Sequence, residues 1–279
     1  MVNEILCNEL AVTDLLLRDH SIIADSIIAN CTSKGIWIQI IKGASDYWCR
    51  DFMPVQVNRA KFVQFVFDPP YYKHKCYQHL KTDISQLTNY PDQNVVRNPI
   101  VLDGGNLTFY DNKVIITDRV FKDNPTHQRT DLLDNLMELL EADEFRIIPA
   151  LPYDITGHAD GMVKLISRDT VLLNDFRLIT GKSYWNRLLK ALCGFNIILL
   201  PNDLHLNQNT DDATGDYMNM IGIQDLAFVP IYRRSTYELA INIIELALTN
   251  VQIVPIKCNI LTTKGGGLHC ATWTSFQQH

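Results

Sequence analysis

The sequence predicts an α/β ring of five repeated units closed by its own two ends, and three observations predict it. Helical and strand-like hydrophobic periods alternate along the chain, and small polar clusters recur at a spacing of about 50 to 60 residues. The last cluster is followed by too little chain to complete its unit, and only the first elements can supply the missing helix and strand.

Taken in order, residues 12–33 carry a helical stripe with Leu15, Leu16, Ile22, Ile23, Ile27 and Ile28, and run into an apolar strand at 36–41. Helical patterns near 77–88, 130–142, 183–193 and 235–249 are each followed by a short strand-like stretch, at 94–96, 145–148, 195–200 and 251–256. Pairs of alternating segments precede the helices: 106–110 with 114–120, 162–166 with 171–176, and 218–223 with 226–232. The first member of each pair follows a polar cluster. These are Arg50-Asp51, Asp103-Gly104-Gly105-Asn106, His158-Ala159-Asp160-Gly161, Gly215-Asp216-Tyr217, and the run 265–270 that ends in Cys270.

From Asp51 through Asp103, His158 and Tyr217 to Cys270 the steps are 52, 55, 59 and 53 residues. The unit is therefore loop, hairpin, helix, strand. The fifth copy has its loop and strand near residue 270, and residues 12–41 supply its helix and closing strand. A chain that completes its last repeat with its first element closes a ring, as propellers do to hide sheet edges. No Pro/Gly/Ser-rich linker interrupts the pattern, so residues 1–279 read as a single domain. In such a ring all five clusters converge at one end of the axis.

Composition sets the outer limits. With 279 residues, 47% hydrophobic and 20% charged, the chain is of ordinary globular make-up, which excludes disorder, collagen and coiled coil. The formal charge is −6 with no polybasic run, so nucleic acid and an anionic membrane surface are not expected partners. No apolar run approaches the ~18 residues of a membrane helix, and the opening Met-Val-Asn-Glu lacks a basic leader, so the expected location is cytoplasmic. Seven cysteines form no even framework, and free thiols are expected. Cys7, Cys31, Cys193 and Cys258 read as small core residues. A homo-oligomer is left open.

The clusters gather one thiol, Cys270, one imidazole, His158, and carboxylates at Asp51, Asp103 and Asp160. Cysteine attacks as thiolate, and carboxylates beside it oppose acyl transfer by raising its pKa and repelling an oxyanion. They suit a cationic electrophile. A planar guanidinium matches carboxylates through forked N–H donors. His158 and Asp160 are two apart, so an extended loop presents both on one face.

The motifs Trp48-Cys49-Arg50-Asp51-Phe52-Met53-Pro54, Asp103-Gly104-Gly105-Asn106, Gly157-His158-Ala159-Asp160-Gly161, Asp216-Tyr217-Met218-Asn219 and Gly265-Gly266-Gly267-Leu268-His269-Cys270-Ala271-Thr272 occur in an order that resembles the pentein superfamily of guanidino-modifying enzymes. The resemblance is nearest to the agmatine deiminases and bacterial peptidylarginine deiminases, and it spans residues 48–272. It implies a five-bladed α/β propeller with pseudo-fivefold symmetry. It implies that Cys270 attacks the guanidinium carbon, that Asp51 and Asp160 hold its nitrogens, and that His158 protonates the leaving ammonia and then activates water. Trp48, Asp103, Asn219, Tyr217 and Gly267 are the candidate substrate-binding residues.

The implied substrate is a small cationic guanidino compound of the agmatine type, as in putrescine biosynthesis, in preference to peptidyl-arginine. The alternatives are an amidinotransferase with an amine acceptor, an arginine deiminase-like hydrolase, and a non-catalytic guanidinium-binding ring. No cofactor is implied, because thiol and imidazole suffice. His74, Cys76 and His79 lack a second pair for a zinc site. Residues 1–35 do not resemble the Trp-, Pro- and His-rich opening of the agmatine deiminases, and Gly267 stands where that group often has asparagine.

Overall fold

A strand whose residues are apolar on both faces belongs in the middle of a covered sheet, and five such runs take that place here. The computed structural model describes residues 1–73, 75, 77–91, 94–209 and 211–277. The chain opens with β1 (Glu9–Thr13), α1 (Asp14–Asp19), α2 (Ser21–Ser33) and β2 (Trp37–Ile41). The one-turn helix α3 (Cys49–Phe52) leads into β3 (Val55–Asn58), β4 (Lys61–Val66) and β5 (Val95–Val101). Next come β6 (Leu107–Tyr110), β7 (Lys113–Thr117), α4 (Arg119–Asp123), α5 (Arg129–Leu139) and β8 (Glu144–Ile148). The third unit is β9 (Val163–Leu165), β10 (Thr170–Asn174), α6 (Lys182–Ala191) and β11 (Asn196–Leu200). The fourth is β12 (Ile221–Ile223), β13 (Leu226–Ile231), α7 (Tyr237–Ala247) and β14 (Gln252–Lys257), and β15 (Trp273–Ser275) ends the order.

These strands form five separate three-stranded sheets, ordered β3-β4-β5, β6-β7-β8, β9-β10-β11, β12-β13-β14 and β15-β1-β2. In each, the middle strand is antiparallel to its hairpin partner and parallel to the strand that returns after the crossover. The fifth sheet joins the two ends of the chain. Leu10 pairs with Thr274 of β15 and with Ile38 of β2.

Alternation along each middle strand distributes the core between neighbours. Ala11 packs with Phe52 and Phe62, Val63 with Ile116, and Ile115 with Val171 and Leu173. Leu172 joins Phe228, Leu10 and Val12. One cluster thus joins the first and second sheets, one the second and third, one the third, fourth and fifth together, and one the fifth and first. Trp273 rivets that seam: its indole lies against Phe62, and Nε1–H donates to the Pro54 carbonyl at 2.8 Å.

Four expectations need correction. The helix of 12–33 is a strand and two helices, because Thr13 ends β1 and caps α1 by accepting from the Leu16 N–H, and the chain bends at His20. No helix forms over 77–88. Its apolar period pins Leu80, Ile84 and Leu87 to a core cluster, but the Thr82 hydroxyl accepts from Ser45 N–H and the Asp83 carboxylate from Ser85 N–H, which leaves only 3₁₀ turns at Gln78–Leu80 and Ile84–Gln86. Cys193 is exposed just past α6, whereas Cys7, Cys31 and Cys258 are buried as expected. The lead strand of the second sheet begins at Leu107, because Asn106 closes a 3₁₀ turn. His74 and Cys76 lie outside the described residues. Among the described residues no helix is long and apolar enough to cross a membrane.

Trp273→Ala is expected to lower the free energy of unfolding by about 3–5 kcal/mol, read from urea denaturation. An unchanged midpoint would remove this residue from the closure of the ring.

Candidate active site

Each polar cluster sits at the entrance to the first strand of its sheet, so units that pack side by side bring their clusters together. Backbone fixes the first three. Gly105 N–H donates to Asp51 Oδ1 at 2.9 Å, and its carbonyl accepts from Asp160 N–H at 3.0 Å. A Cβ at position 105 would stand 2.6 Å from Asp51 Oδ1 and 2.7 Å from His158 Nδ1. Glycine is therefore required for this loop to pass between them.

Asn219, from the fourth cluster, fixes the fifth. Its Oδ1 accepts from the N–H groups of His269 (3.0 Å) and Cys270 (3.2 Å), and its Nδ2 donates to Cys270 Sγ at 3.1 Å. Sγ also lies 3.5 Å from Asp160 Oδ2. His158 is held by Asp103, with Nε2 to Oδ2 at 3.0 Å, while Nδ1 faces Asp51 Oδ1 at 3.6 Å. One thiol, one imidazole and three carboxylates from four of the five units, with the Asn219 amide from the remaining one, are thus interlocked and buried.

Burial pushes Asp51 up to about 7, against the pull of His158, with Asp103 and Asp160 adding to the rise. Burial opposes the charge on His158, but Asp51, then Asp103, outweigh it and push the imidazole up to about 9. Asp160 moves the other way: burial would raise it, and the His269 imidazole, 2.7 Å from Oδ2, holds it below the usual carboxylate range. Burial, Asp160 and Asp51 drive the Cys270 thiol well above its ordinary value. At neutral pH the empty site therefore holds a protonated thiol beside a protonated imidazole, and an incoming cation is what would favour the thiolate.

Cys270, His158, Asp160, Asp51, Trp48 and Asn219 line one cavity of about 480 Å³. Three predicted substrate-binding residues do not. Asp103 lies behind His158, where the shorter side chain reaches the imidazole. Tyr217 is fully buried in a core cluster beside Tyr232, and its hydroxyl accepts from Thr236 Oγ1. Gly267 packs against Asn219, whose Oδ1 would lie 2.6 Å from a Cβ there, so it makes room for the amide that holds the Cys270 loop.

Sequence reasoning missed Asp216 as a site residue. It lines the cavity, is pushed up to about 7 by burial, and accepts from Asn174 Nδ2 and Met218 N–H through Oδ1. Its place in the fourth cluster was the available signal. Tyr71 also lines the cavity, with its hydroxyl 3.5 Å from Asp103 Oδ2, and nothing in the repeat marks it. Arg50 turns to Glu4, and Arg119 pairs with Asp123. Lys264 is the only Lys or Arg among the described residues on the cavity wall, against seven aspartates. Among the described residues no three His, Cys, Asp or Glu side chains are disposed to hold a metal ion.

No curated protein matches the sequence. Among solved structures, agmatine deiminase from C. jejuni with substrate bound is 15% identical with a TM-score of 0.75, covering 99% of this chain and 96% of that one. The agmatine deiminase of Enterococcus faecalis is 16% identical with a TM-score of 0.74, covering 99% and 95%. A dimethylarginine dimethylaminohydrolase adduct follows at 10% identity and a TM-score of 0.58, covering 96% and 100%. At these identities the likeness is one of fold. The family model for Porphyromonas-type peptidyl-arginine deiminase matches residues 14–275, nearly the full chain, and the protein belongs to that family, within the pentein superfamily.

Proposed function

We propose that this protein hydrolyses the guanidino group of a small cation of the agmatine type to a ureido product and ammonia. The observation that carries the reading is the buried set of Cys270, Asp160, Asp51 and His158: an anionic cradle beside a thiol, with an acid already protonated. We propose also that the five sheets are blades of a propeller in one catalytic domain, supported by the cyclic sharing of core clusters and by the sheet that joins β15 to β1. Reduced thiols fit work in the cytoplasm.

The guanidinium enters between Asp51 and Asp160, and its charge offsets theirs. The Cys270 proton passes to solvent, and Sγ forms a bond to the guanidinium carbon. The His158 imidazolium gives its proton to the departing nitrogen, the C–N bond breaks, and ammonia leaves a thiouronium on Cys270. Neutral His158 then takes a proton from water as hydroxide adds to the same carbon. The C–S bond breaks, the thiolate returns, and the product loses its extra proton. Asp103 holds Nε2 throughout, so Nδ1 exchanges the proton. Acid/base assistance of this kind is worth about 10²–10⁴-fold.

The wall favours agmatine over free arginine. Asp154, Asp211 and Asp212 join the inner acids, which leaves Lys264 as the single described lysine or arginine on the wall against seven carboxylates, a balance that suits a substrate without an α-carboxylate.

A screen of guanidino compounds is expected to give ammonia and a ureido product in equal amounts with agmatine-like cations, and none with Cys270→Ala. Ammonia-free turnover that requires an added amine would instead indicate an amidinotransferase. The pH profile of kcat/KM is expected to climb as Asp51, at about 7, and the Cys270 thiol give up protons, and to stop climbing near about 9, where His158 loses its proton. A profile that rises through the upper limit without bending would exclude His158 as the acid.

A further inference from the structure

His269 sits between two carboxylates. Its Nδ1 lies 2.7 Å from Asp160 Oδ2 and its Nε2 2.9 Å from Glu4 Oε1. A carboxylate thus stands at each ring nitrogen. Glu4 is in turn gripped by Lys164 Nζ at 2.8 Å and Arg50 Nη2 at 3.2 Å. Burial works against its charge, and Lys164, His269 and Arg50 hold it well below the usual carboxylate range.

The arrangement is also set apart in space. A second cavity of about 300 Å³ is lined by Glu4, Arg50, Lys164 and His269, and Asp160 is the only described residue that lines both this cavity and the one holding Cys270. The far cavity therefore contains a charged relay that meets the cavity holding Cys270 at the Asp160 carboxylate.

We infer that Glu4 and His269 are positioning residues that fix the orientation of Asp160 beside Cys270, so that the turn carrying Glu4 helps build the guanidinium cradle. This rests on the deiminase reading given above. The segment carrying Glu4 is anchored without it. The Met1 amino group donates to the Asp111 carbonyl, Asn3 and Asp111 exchange two hydrogen bonds, and Val2 N–H donates to the Gln56 carbonyl. Glu4 is thus free to serve the site.

The test compares alkylation of Cys270 by a cationic reagent, 2-chloroacetamidine, and by a neutral one, iodoacetamide. In both, Sγ bonds to the methylene carbon as halide leaves. The native protein is expected to react faster with the amidine, because the cradle draws it in; equal rates would sink the deiminase reading itself. Glu4→Gln, with native circular dichroism retained, is expected to lower the ratio of amidine to iodoacetamide rates by about tenfold, with the neutral rate little changed. An unaltered ratio, or equal loss of both rates, would overturn the positioning role while leaving the deiminase reading intact. Should Glu4→Gln fail to fold, the same ratio in His269→Gln decides by the same outcomes.

Discussion

The Asp160 carboxylate is the point on which the site depends. Burying a carboxylate is costly unless it is paired and hydrogen-bonded, and here the pairing comes from His269, the backbone anchorage from Gly105, and a close approach from the Cys270 thiol. His269 and Cys270 stand in one unit, Gly105 in a second and Asp160 itself in a third. The carboxylate can be accommodated only when the units are in register, so specificity of assembly and chemistry of the site share one requirement.

The same burial separates three carboxyl groups into distinct states. Asp160 is pulled down by an adjacent imidazole, whereas Asp51 and Asp216 are pushed up for want of equal compensation. His158 keeps its proton because two carboxylates face it. Groups of one chemical type thus acquire different charges from their neighbours alone.

Much of the fold was legible because middle strands buried on both faces are continuous apolar runs, and runs such as 114–117 and 171–173 repeat at a steady interval. The segment 77–88 was misread because the hydrophobic period of a helix is also that of a chain pinned to a core by turns, and the polar caps at Thr82 and Asp83 decided between them. In the site, Cys270, His158, Asp160 and Asp51 were readable since each stands at the same place in its repeat. Tyr217 shares that place but points into the core, a difference of one residue that spacing does not resolve. Glu4 and Tyr71 lie outside the repeat. Their roles arise from tertiary approach, which leaves no local signature.

The sheet shared by β1 and β15 has a bearing on biosynthesis. The middle strand of that sheet leaves the ribosome long before its antiparallel neighbour, which is translated after residue 272, and chains are made at about 5–20 residues per second. For the whole of that interval the nascent polypeptide carries an unpaired edge and lacks the Cys270 thiol. Because Cys270 is encoded immediately ahead of the closing strand, the sulfur arrives together with the strand that seals the circle, and a truncated translation product lacks both.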